Sequence, residues 1–162
     1  MRARPCLVLL LVGLLAACGG LEPGSVRPAD MPDPTTLART GRPNDWLICP
    51  PSACRAEAGA MAPAYAVPPA ALLAAWRTVL AAQPRATPIG EDPSRLLLLA
   101  QDRTPVMRFV DTVAIRVLPA GEGGSTFAAY SRSELGYGDL GTNRRRLESW
   151  VAALDRQVTP LR

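Results

Sequence analysis

Six residues in the second half of the chain carry side chains that could hold a ligand or move a proton: Asp111, Arg132, Asp139, Asn143, Arg144 and Arg146. Asp111 lies in the run Arg108–Leu118, where alternation predicts a strand with Phe109, Asp111, Val113, Ile115 and Val117 on one face. A carboxylate on an apolar face needs a partner or it keeps its proton. A second strand, 125–133, follows the Gly-rich turn 119–124, and pairing symmetric about that turn sets Arg132 opposite Asp111 as a charge-assisted contact. The remaining four residues lie in Asp139-Leu-Gly-Thr-Asn143-Arg144-Arg145-Arg146, where a helix is predicted over 140–156. Asp139 is placed to be its N-cap. On the helical wheel, Asn143 falls within the apolar stripe of Leu140, Leu147, Trp150, Val151 and Leu154. Arg144 and Arg146 flank that stripe, and Arg145 points to solvent.

The cluster has two readings. In one, it is an anion site: free amides at a helix start, glycines that allow close approach, and Arg132, Arg144 and Arg146 converging. In the other, it is a capped helix whose arginines pair with Asp111, Glu134, Asp139 or Glu148. The second is favoured, because Asp139 occupies the place an anion would take.

Composition removes much other chemistry. The chain has 162 residues and no His, which excludes Ser-His-Asp and Cys-His catalysis and every zinc site built on imidazole. All 18 basic residues are Arg, so Schiff-base and Lys general-base chemistry are excluded too. No cofactor or metal is implied. The net charge is +4, and loss of Arg2 and Arg4 with a leader takes it to +2, no footprint for nucleic acid.

A leader is what residues 1–17 suggest: two arginines, then an apolar run from Leu7 to Ala17 too short to span hydrocarbon as a helix. Its end, Leu15-Ala16-Ala17-Cys18, resembles the bacterial lipobox. That resemblance implies a lipoprotein that begins at Cys18 and carries acyl chains such as palmitate, which hold it on a membrane. The alternative is a plain signal peptide with Cys18 incidental. Gly19 in place of Asp favours the outer membrane in a cell that has two. Residues 18–43 are then the lipidated Cys and a Pro/Gly-rich spacer that reads as flexible, with Pro23, Pro28, Pro32, Pro34 and Pro43 and no aromatic residue. Outside the cytoplasm, Cys49 and Cys54, flanking a Pro-Pro turn, are expected to form a disulfide.

The domain, 44–158, must position these residues. Pro68 and Pro69 suit the first turn of a helix whose Leu72, Leu73, Trp76, Val79 and Leu80 form a core-facing stripe, ended at Pro84. Strands are predicted over 85–91, 95–103, 108–118 and 125–133. The fold class is α+β: a four-stranded antiparallel meander with an N-terminal and a C-terminal helix packed on one face.

The stretches Asn44-Asp-Trp-Leu, Phe109-Val-Asp111 and Ser131-Arg-Ser…Gly138-Asp-Leu-Gly141…Asn143-Arg144…Arg146 resemble the bacterial domain-of-unknown-function family 1499, over roughly Asn44 to Leu154. Thr112 stands where many members carry a second acidic residue. The resemblance implies a domain boundary and a motif but no reaction. Two functional expectations follow. The first is a membrane-anchored, periplasm-facing envelope lipoprotein that acts as a non-enzymatic binding or structural module, its partner an envelope protein or an amphipathic or anionic ligand. The second is a hydrolase or transferase acting on an anionic envelope substrate, with Asp111 as base and an arginine clamp of Arg132, Arg144 and Arg146.

Overall fold

The structure is a computed structural model that describes residues 21–161. The predicted leader and Cys18 lie outside the described residues. Among these, no helix is long and apolar enough to cross a membrane.

The chain runs β1 (Asp45–Cys49), β2 (Ala60–Met61), α1 (Pro69–Ala81), β3 (Ala86–Asp92), β4 (Leu97–Arg103), β5 (Val110–Ala120), β6 (Gly124–Ser133) and α2 (Thr142–Asp155). The class is α+β, but the sheet is not the four-stranded meander. It is a six-stranded mixed sheet in the order β2-β1-β6-β5-β4-β3. β3 to β6 form the consecutive antiparallel part; β1 pairs antiparallel with β6, and β2 joins β1 in parallel. No local turn announces β1, because its partner strand is more than 80 residues away, with Leu47 opposite Tyr130.

Both helices cover one face. Leu72, Leu73, Trp76, Val79 and Leu80 of α1 are all buried, as the stripe predicts. Trp76 meets Phe127 of β6 edge-on, with ring centroids 5.0 Å apart. Leu147, Trp150 and Leu154 of α2 complete this core over Val113, Ile115 and Val117. Leu140 is not part of the stripe. It precedes the helix in a left-handed conformation and is 94 % exposed. Gly141, at φ 76°, turns the chain into α2 one step later.

The opposite face is closed by the segment predicted to be a free spacer, which is a correction. Val26 N–H donates to Ile89 C=O, a single 3-10 turn follows at Pro28–Asp30, and Met31 packs among Ile89, Leu97, Leu99 and Ala114. Arg116 of β5 pairs with Asp33, and Leu37 packs with Leu47 and Cys49. Prolines bar this segment from the sheet ladder, but a sheet with two apolar faces needs a cover on each. The disulfide Cys49–Cys54 is present at the end of β1.

The hairpin register also differs. β5 and β6 close at Ala120 and Gly124 over a three-residue loop, in which Gly121 and Gly123 have φ of 57° and 71°. An odd loop centres the hairpin on a residue, whereas the expected symmetry was centred on a bond. Every partner therefore moves by one: Asp111 faces Ser133, and Arg132 faces Thr112.

Candidate functional site

The shift in register takes Arg132 away from Asp111 and onto the other face, where its guanidinium pairs with Glu134 at 3.0 Å. Its place is filled from α2. Arg146 Nη2 donates to Asp111 Oδ2 at 2.5 Å, and Nε to Asp102 Oδ2 at 2.8 Å. Nη1 donates to Ser131 Oγ at 3.0 Å and Asn143 Oδ1 at 2.6 Å. Three strands and a helix thus meet in one buried guanidinium fork.

Asn143, fully buried, ties this network to the helix start. Its Nδ2 donates to Asn44 C=O at 2.9 Å, Ser133 Oγ at 3.0 Å and Asp139 Oδ2 at 2.7 Å. Asp139 accepts from the Gly141 and Asn143 amides, both at 2.8 Å. It caps the helix from two residues before the N-cap position, which Gly141 holds. Asp139 therefore consumes the amides that an anion would have used.

Arg144 stands apart. It pairs with Glu148 at 2.7 Å and lies 5.1 Å from the centre of the Trp46 ring. Arg145 donates to Leu140 C=O. Of the six residues named from sequence, four come together: Asp111, Asp139, Asn143 and Arg146. Arg132 and Arg144 do not join them, so the expected three-arginine anion clamp is not assembled.

Asp102 was missed. It shares the parity of Leu98 and Ala100, both buried in the helix-side core, so it carries the same signal as Asp111: an acid on an apolar face. Asn44, Ser131 and Ser133 complete the network. They were visible only as parts of a motif.

The Asp111 carboxyl is special within this set. The residue is 0 % exposed, and its Oδ1 accepts no hydrogen bond. Burial raises its pKa above the usual carboxylate range, against the pull of Arg146 and of a Ser133 hydrogen bond, and Asp102 nearby adds to the rise. Asp111 also lines a cavity of about 480 Å³ between the β4–β5 connection and the β6–α2 connection. Val106, Met107, Phe109, Leu135 and Leu140 form much of its wall and are exposed at its rim. Phe109 belongs to this rim and not to the strand face on which it was predicted. Among the described residues, no cluster of Cys, Asp and Glu is assembled that could hold a metal ion.

A two-layer helix–sheet domain with a strapped second face and a buried Asp–Arg–Asp network defines the class. The family model described as "Protein of unknown function (DUF1499)" matches residues 31–154. The chain belongs to that family. The match begins at Met31, the residue that seats the strap, 13 positions before the boundary predicted at Asn44. No curated protein matches the chain.

Proposed function

We propose that the protein is a membrane-anchored envelope lipoprotein, lipidated at Cys18 and facing the periplasm, whose domain is a non-enzymatic binding module for an amphipathic ligand. One observation carries the binding part: large apolar side chains stand exposed around a cavity whose floor includes a buried carboxyl. Exposing Val106 at 84 % and Leu140 at 94 % loses hydrophobic stabilisation unless something covers them. A cavity of this size with a few polar groups beneath an apolar rim has the form of a small-ligand site. Anchoring rests on the lipobox-like run and Gly19, which favour the outer membrane where there are two.

Thermal shift against envelope lipids and peptidoglycan fragments tests the binding reading. A stabilising ligand should lose its effect in Leu140→Asp, a change at an exposed position that leaves the fold intact. No shift with any of them counts against it. Mass spectrometry of the purified chain tests the anchor, by an amino terminus at Cys18 bearing acyl chains.

A hydrolase or transferase with Asp111 as base is the second reading, favoured by the raised pKa of a carboxyl lining a cavity. It lacks the clamp, since Arg146 is committed to Asp102 and Asp111 and no arginine is among the residues lining that cavity.

A further inference from the structure

Arg146 balances only one of the two carboxylates it holds, so when both acids are ionised the Asp102–Arg146–Asp111 group carries one negative charge with no counterpart inside it. Asp111 lines the apolar cavity, and its Oδ1 is buried with no hydrogen-bond partner of its own. Asp139 also borders that cavity, and among the described residues lining it there is no arginine. Arg85 and Arg145 line a separate cleft of about 420 Å³ on the Asp102 side. The rest of the wall is mostly apolar, with Phe109, Leu135 and Leu140 among it beside the hydroxyl residues Thr104, Ser133 and Thr142.

An apolar wall over an unbalanced carboxylate is complementary to a molecule that is apolar with one cationic donor. Resting on the binding reading above, we infer that the cavity selects a small single-chain amphiphile whose head is a primary ammonium. The ammonium lies over the buried Asp111 carboxylate and offsets the surplus charge through space, and the chain covers Phe109, Leu135 and Leu140. An anionic head meets Asp111 and Asp139 and is rejected. A neutral hydroxyl supplies a donor but no charge, and binds in between.

Isothermal titration of the full chain with octylammonium, octanol and octanoate reads this order directly. Octylammonium is expected to bind at least about tenfold more tightly than octanol, with octanoate weakest. Asp111→Asn should bring octylammonium down to the level of octanol. Because Asp111 also holds Arg146, a second variant leaves the buried network alone: Leu135→Lys, at the exposed rim, supplies a competing cation and should weaken octylammonium about tenfold. Octanol or octanoate binding as tightly as octylammonium overturns the head-group selection, yet leaves amphiphile binding standing. Binding of none of the three overturns both. Together with self-association that Leu140→Asp abolishes, or vesicle retention that it weakens, that last result assigns the face to a second copy or to a bilayer.

Discussion

Arg146 holds two carboxylates, a serine and an asparagine from one position on α2, so its loss strands two acids at once. Arg146→Ala should lower the unfolding free energy by about 3–5 kcal/mol, measured by urea denaturation at neutral pH. Arg146→Lys should recover little of this, because one ammonium cannot reach acceptors spread around a planar fork. Asp111 predicts a pH effect with a definite sign. Its folded pKa lies above the ordinary 3.8, so the native state binds the proton more tightly than the unfolded chain does. The stability this contributes is complete below that ordinary value and is lost as pH rises through the raised one. Asp111→Asn has no such proton. Guanidinium titrations at several pH values should therefore show wild-type stability falling relative to the variant as pH rises from about 3 towards neutrality; a rise would refute the direction of the shift. Which acid meets which arginine was not legible from the residues alone, because a one-residue change in the loop at 121–123 exchanges Arg132 for Arg146.

At the scale of elements, β1 and its disulfide show what short segments depend on. β1 spans five residues, and β2 only two. The Cys49–Cys54 bridge closes the turn after β1, with Ser52 at φ 59°, and the chain then returns to lay β2 beside it. Replacing both cysteines by serine should cost about 2 kcal/mol in thermal or urea unfolding, the loop-closure value for so small a ring. Gly59 is also required here: a Cβ would meet the Trp46 ring at 2.5 Å, and that ring carries Arg144 on it. Helix α1 was readable in advance because its stripe and its two prolines are local. β1 was not, because its strand character comes from β6.

The domain as a whole is held from both sides. Helices close one face, and residues 26–37 close the other through Met31, Asp33 and Leu37. A chain that starts at Asn44 should be destabilised by about 3 kcal/mol or more relative to one that starts at Val26, since it uncovers Ile89, Leu97 and Leu99 and frees Arg116. Comparative denaturation of the two truncations measures this. Equal stabilities would mean that the strap contributes nothing to the fold. Proline content alone suggested a spacer, because composition reports what a segment cannot pair with and not what it can lie against.

The order and kind of both helices and of β3 to β6, the oxidised cysteine pair, the membership of Asp111, Asn143 and Arg146 in something polar and important, and the absence of imidazole and lysine chemistry all follow from the linear chain. Each depends on local periodicity, residue type or a motif of neighbouring positions. The six-stranded sheet, the strap, the partner of Asp111 and the cavity above it were decided only by folding. They depend on which distant surfaces meet and on a strand register that a single residue in a turn can reset. Distances of that kind are set when the whole apolar surface is buried together.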